Sequence, residues 1–292
     1  MFTLRHRKTM MRSPSFSPDG TKLAASQARG RVVVWDLATR EVAADLDTGP
    51  YANGSMFHTD RRVVVSTWNN VLFFEKLSTL NVVPKPPAGR FQGVRAATVP
   101  PGGKLLFAAL GRSVYALPFP KPGDAAWEWA PEDGLSVPSS LALSPDGKTL
   151  AVGTTRGAVE LLDAATGRPA GRMFCRSTAT VAALALSPDA QAAAWCAASR
   201  LRIARRGPGA GGIERSLGKT HFIAIAWHPS GAFLATANGD GKADFWDALT
   251  GERRESFDWG TGKLLGIAFD AAGDRAAATA ENGTVVVWDV DR

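Results

Sequence analysis

One short segment recurs along the whole chain and sets its architecture. Phe16-Ser-Pro-Asp-Gly20 returns as Leu143-Ser-Pro-Asp-Gly147, Leu186-Ser-Pro-Asp-Ala190 and Trp227-His-Pro-Ser-Gly231. Weaker copies are Phe57-His-Thr-Asp-Arg61, Val99-Pro-Pro-Gly-Gly103 and Phe269-Asp-Ala-Ala-Gly273. Their third residues stand at 18, 59, 101, 145, 188, 229 and 271, so the steps are 41, 42, 44, 43, 41 and 42. Seven such units use up all 292 residues and leave no room for a second domain.

Each unit reads alike. An apolar run such as Phe222-Ile-Ala-Ile-Ala-Trp227 precedes the turn, and a second such as Leu234-Ala-Thr-Ala237 follows it. After a Gly turn comes a run ending in an aromatic–acid pair, then a more polar run such as Glu41-Val-Ala-Ala-Asp-Leu46. Runs this short, punctuated by Gly, Pro and Asp, are strands in hairpins rather than helices. The expected fold is therefore all-β, a seven-bladed β-propeller of four-stranded antiparallel sheets. The last unit stops after its third strand, which predicts that Phe2 to Arg5 supply the missing outer strand and close the ring.

Trp35-Asp36, Trp246-Asp247 and Trp288-Asp289, with the Ser-Pro-Asp-Gly turns and the period, resemble the Trp-Asp (WD) repeat propellers. The resemblance covers the chain as one domain, 1–292. The other units end in Phe74-Glu75, Tyr115-Ala116, Leu162-Asp163 and Ala204-Arg205. None has the Gly-His that opens many family repeats. Unit six comes closest to the family's buried polar network, with Thr236, Asp240 and Trp246, whereas units one and seven place Ala25 and Ala278 where Thr236 stands. Blade stability is thus expected to rest on apolar packing.

Chemistry-bearing motifs are sparse. Gly207-Pro-Gly-Ala-Gly-Gly212 spells G-x-G-x-x-G, but it lies between two strands with no helix to follow, and reads as a hairpin loop. Gly218-Lys219-Thr220 lacks the glycine a phosphate loop needs upstream, because Ile213 stands there. His58 and His228 fall in the turns, His6 near the closing strand, and His221 in a loop; no metal-hydrolase spacing occurs. Cys175 and Cys196 are too few for a disulfide framework or a zinc site and read as packed thiols. Neither metal nor cofactor is expected. The basic N-terminus leads into no apolar run, and no stretch is long enough to span a membrane, so the expectation is a monomeric, cytoplasmic protein. Trp127 and Trp129 alternate and share one face of an outer strand, either packed on the next blade or forming a rim patch.

The net charge of +7 is modest for this length. Its distribution is more informative. In family members the loops that enter the innermost strand, and those that join strands two and three, form the usual binding end. Here they carry Arg12, Arg29, Asn53, Arg95, Arg112 and Arg156, with Arg200 in the turn of unit five and Tyr51 and Trp68 among them. Arg61, Arg62, Arg205, Arg206, Arg253 and Arg254 fall at the opposite end. Guanidinium forks suit carboxylates and phosphates, and Trp and Tyr give rigid contact area. The resemblance implies a non-catalytic scaffold that binds a protein or peptide, and the arginines of this end suit an acidic or phosphorylated one. The second reading is a nucleic-acid or polyanion binder on the same face, and the last is an enzyme acting in the central channel.

Overall fold

A computed structural model of the protein describes residues 1–49, 52–68, 71–82, 93–120, 123–174, 179–207 and 212–290. Among the described residues the regular secondary structure is entirely strand, arranged as seven four-stranded antiparallel sheets. In blades one to six the strands run from the ring axis outward in chain order. Blade one, for example, orders Met11–Phe16, Lys22–Gln27, Arg31–Asp36 and Val42–Asp47. Blade seven orders Leu264–Phe269, Arg275–Ala280 and Thr284–Asp289, and its outer strand is Phe2–Arg5. The register there is Phe2↔Val287 and Leu4↔Val285, so the ring closes as the missing strand predicts.

The burial pattern explains why each strand has its composition. Most second and third strands are covered on both faces, and Arg31–Asp36 reads as a continuous apolar run with polar ends. Outer strands are wet, as in Arg253–Asp258. Alternate side chains of one sheet face opposite neighbours, so the protein has no single core. Apolar clusters instead fill the seven seams between blades. Leu4, Val285 and Val287 of blade seven meet Met11, Leu23 and Trp35 of blade one, and Phe233, Phe245 and Ala243 of blade six meet Ile267 and Trp288 of blade seven. Trp127 and Trp129 fill the seam between blades three and four. The Trp127 indole donates to the carbonyl of Ala164 at 3.1 Å and lies over Gly167, where an added Cβ would stand 2.6 Å from the ring. The packing alternative for these tryptophans is the correct one.

The recurring turn forms through its serine and aspartate. Ser17, Ser144 and Ser187 donate to Asp19, Asp146 and Asp189 at 2.6, 2.6 and 2.5 Å. The aspartate of each Trp-Asp pair caps the next turn: Asp36 accepts from the amides of Ala38 and Thr39, and Asp247 from those of Leu249 and Thr250. Several of the first turns also bond to the next blade. His58 Nε2 meets the carbonyl of Gly103 at 2.9 Å, His228 Nε2 that of Gly273 at 3.0 Å, and Arg275 donates to that of Gly20 at 2.6 Å. His228 is therefore a buried turn residue, as its position predicts, whereas the likewise buried His58 lies at the end of the strand Ala52–Thr59 rather than in the turn. One end of the ring is thus a girdle of turn-to-turn bonds.

Candidate functional site

The opposite end carries the arginine-rich loops. Arg12 pairs in register with Ser26 and projects into solvent, beside the exposed Arg29 in the turn after Gln27. The hydroxyl of Ser13 donates to the carbonyl of Asn53 at 3.2 Å and ties this corner to blade two. Ala52 pairs with Thr67 and Gly54 with Ser66, which leaves Asn53 in a bulge beside Thr67, the residue before Trp68. The Trp68 carbonyl accepts from the amide of Val94 at 2.8 Å, and its indole lies against Gly93, whose φ of +73° favours glycine there. Arg95 follows, exposed. Arg29, Arg12, Asn53, Trp68 and Arg95 therefore form one arc over blades one to three.

Trp68 is 60% exposed, which sets it apart from the indoles packed in seams. Arg12, Arg29 and Arg95 make no ion pair among the described residues. At the girdle end the balance is different. Arg62 binds Glu75, Arg254 forms a two-pronged pair with Asp247, Arg206 donates to the carbonyls of Ala190 and Ala170, and Arg253 lies 3.7 Å from Asp244. Those guanidinium groups are committed to holding the fold.

The remaining positions do not join the arc. Arg112 donates to the carbonyl of Gly134 and braces the loop before blade four. Arg200 binds Glu214 of its own sheet. Arg156 lines a groove with Glu132, Asp133, Glu160 and Arg172, so its surroundings are of mixed charge. The hydroxyl and amide of Ser136, with the amide of Leu135, hold Asp133 down at about 2. Tyr51 lies outside the described residues, as does Cys175. Cys196 is fully buried, and burial pushes its thiol far above the ordinary range, which suits a packed residue rather than a nucleophile.

The central cavity encloses about 320 Å³. Its wall combines Ser13, Ser139 and Ser140 with Ala183, Ile225 and Ile267, and Arg95 is the charged residue that reaches it from the arc. Among the described residues no three of His, Cys, Asp and Glu converge as metal ligands, and no helix is long and apolar enough to cross a membrane.

Comparison with known families agrees with this geometry. A family model described as the anaphase-promoting complex subunit 4 WD40 domain matches residues 121–196, and one described as the WD domain, G-beta repeat matches residues 214–247. The chain is similar to the WD-repeat propellers in these two stretches and in its seven-bladed architecture. No curated protein matches it. The second match ends on Trp246-Asp247, in the blade whose tryptophan keeps a buried polar partner, Nε1 of Trp246 to the Thr236 hydroxyl at 3.0 Å. Asp240, placed in that network by analogy of sequence, instead accepts from the amide of Lys242 at 3.3 Å. The buried acid beside the network is Asp244, bonded to Asn238 at 2.7 Å. The analogy misses it because Asp244 stands in mid-strand, outside the turn where the analogy places the network's acid. WD-repeat propellers typically serve as protein-interaction scaffolds.

Proposed function

We propose that the protein is a non-catalytic scaffold that binds an acidic or phosphorylated peptide segment of a protein partner on the arc Arg29, Arg12, Asn53, Trp68 and Arg95. The exposed Trp68 on the same end as arginines that make no ion pair among the described residues is the observation on which the reading rests. Free guanidinium groups speed the encounter with an acidic segment, and a rigid indole supplies desolvated contact area. Arg112, Arg156 and Arg200, bound or offset by neighbours, contribute less.

The test is fluorescence polarisation against an acidic phosphopeptide library and a DNA duplex. Trp68→Ala should weaken peptide binding by about 2 kcal/mol or more, as the loss of a central anchor does. Arg12→Ala and Arg29→Ala should slow association and flatten its salt dependence. A peptide partner gives a shallow salt slope dominated by Trp68. A steep log–log slope, indifferent to sequence and to Trp68, would assign the face to nucleic acid instead. Peptide binding that survives the combined loss of Trp68, Arg12, Arg29 and Arg95 would place the site elsewhere.

A further inference from the structure

The seam between blades six and seven opens outward into a groove of about 540 Å³, the size of a small-ligand site. Its floor is aromatic: Phe233, Phe245 and Trp288 are 7%, 5% and 8% exposed. Phe257 and Trp259 are half-buried and continue the wall. The rings contact one another in series, with centroids 5.6 Å apart for Phe245–Phe257, 6.0 Å for Phe257–Trp259 and 4.7 Å for Trp259–Trp288. Packing of the seam requires the floor. It does not require a groove left open beside the half-buried rings.

The charges at this groove are unlike those of a protein carrying +7 overall. Glu255 lies on the same face of the outer strand as Phe257, is exposed, and makes no ion pair among the described residues. The carboxylate of Asp289 stands at the other side, 58% exposed. Arg254 also lines the groove, but both of its prongs are held by Asp247 at 2.6 and 3.2 Å, so its charge is already matched. The Met1 nitrogen lies 3.8 Å from Asp289, so Glu255 is the rim carboxylate that no cation meets among the described residues. Aromatic walls attract cations through their quadrupoles, and a carboxylate rim selects the same sign.

We infer that this groove binds an organic cation with an apolar body, an alkylammonium or alkylguanidinium whose stem lies on Phe257 and Trp259 and whose charge faces Glu255 and Asp289. The site is separate from the arc on blades one to three and stands or falls independently of it.

The experiment titrates the full chain with benzyltrimethylammonium and with its uncharged tert-butyl analogue, by ligand-detected NMR and by tryptophan fluorescence. The cation should bind saturably and at least about fivefold more tightly than the analogue, the range a partly desolvated cation–π contact supplies. Trp259→Leu should abolish binding. Glu255→Gln with Asp289→Asn should weaken it about fivefold and remove its salt dependence, and this exposed pair keeps the test available if Trp259→Leu fails to fold. Trp68→Ala should change nothing. Acetyl-arginine amide serves as a second probe: comparable binding would assign the cation to a partner's side chain, and preference for the quaternary amine to a free metabolite. Equal affinity for the uncharged analogue, no binding of either cation, or unchanged binding in a folded Trp259→Leu protein would each overturn the inference.

Discussion

Leu4 carries the closure of the ring, and its truncation has a calculable cost. The residue is 2% exposed and packs between Val285, Val287 and the tryptophan-bearing face of blade one. Leu4→Ala removes about three buried carbons, worth about 0.8 kcal/mol each in transfer free energy. The space left is bounded by second- and third-strand residues already at 0% exposure, such as Val285 and Leu23, which cannot collapse into it. The cavity raises the expected loss to about 3–4 kcal/mol. For a chain of this size that is a fall in melting temperature of roughly 6 °C or more. Val42, in the outer strand of blade one and 42% exposed, is the control. Val42→Ala should stay within about 0.5 kcal/mol of the parent. Calorimetry gives the stability, and hydrogen exchange gives its location. Amide exchange along Thr284–Asp289 should accelerate in Leu4→Ala before that of Arg31–Asp36, because the closing strand frays first. A Leu4→Ala protein that melts with the parent, or that exchanges uniformly around the ring, would refute this account of closure.

Three further outcomes are expected. Thr236→Val should cost about 1–3 kcal/mol in thermal or urea unfolding, because it leaves the buried Trp246 N–H without its acceptor. Ala190 sits at φ +56°, where the sister turns have Gly20 and Gly147, so Ala190→Gly should stabilise by about 0.5–1 kcal/mol, measured by the same melts. Burial pushes the His58 imidazole below its ordinary value of 6.5, only partly offset by the Gly103 carbonyl. The unfolded chain therefore takes up a proton that the folded one resists. Stability should fall as pH drops below about 6.5, and urea titrations at pH 7.5 and 5.5 should show a smaller fall in His58→Gln.

What the sequence makes legible is whatever is local and repeated. The Ser-Pro-Asp-Gly turns, the Trp-Asp pairs and the strand count are set within a few residues of one another, and the closure by Phe2–Arg5 follows from counting strands. The placement of Arg12, Arg29, Asn53, Trp68 and Arg95 at one end also follows from the period. Their electrostatic state does not. Gly134, Glu132 and Asp133 belong to an irregular loop outside the repeat pattern, and they alter the meaning of Arg112 and Arg156. The aromatic groove escapes a linear reading for the same reason. Phe245 and Phe257 lie on adjacent strands of one sheet, but Trp288 comes from the next blade. Only the seam brings them together.

The seams also explain how the repeats can degenerate without losing the fold. Trp35 and Trp195 are 1% and 0% exposed, and in both the indole N–H has no hydrogen-bond partner among the described residues. Ala25 stands in blade one where Thr236 accepts from Trp246 in blade six. Leaving such a donor unmet costs about 1–3 kcal/mol. A fully buried aromatic ring recovers a similar amount from its apolar area alone, about 25 cal/mol per Å². The indole is therefore retained at Trp35 for the seam it fills rather than for the bond it could make. Phe74 in blade two and Leu162 in blade four fill the equivalent slot with no donor at all, at 3% and 0% exposure. On this account a seam tolerates any large apolar group in that slot, and the polar network is an addition that blade six alone among these four has kept. Ala25→Thr restores the missing acceptor in blade one. It should recover about 1 kcal/mol where the same change at Ala278, above Trp288 in the groove-bearing seam, meets no orphaned indole and recovers nothing.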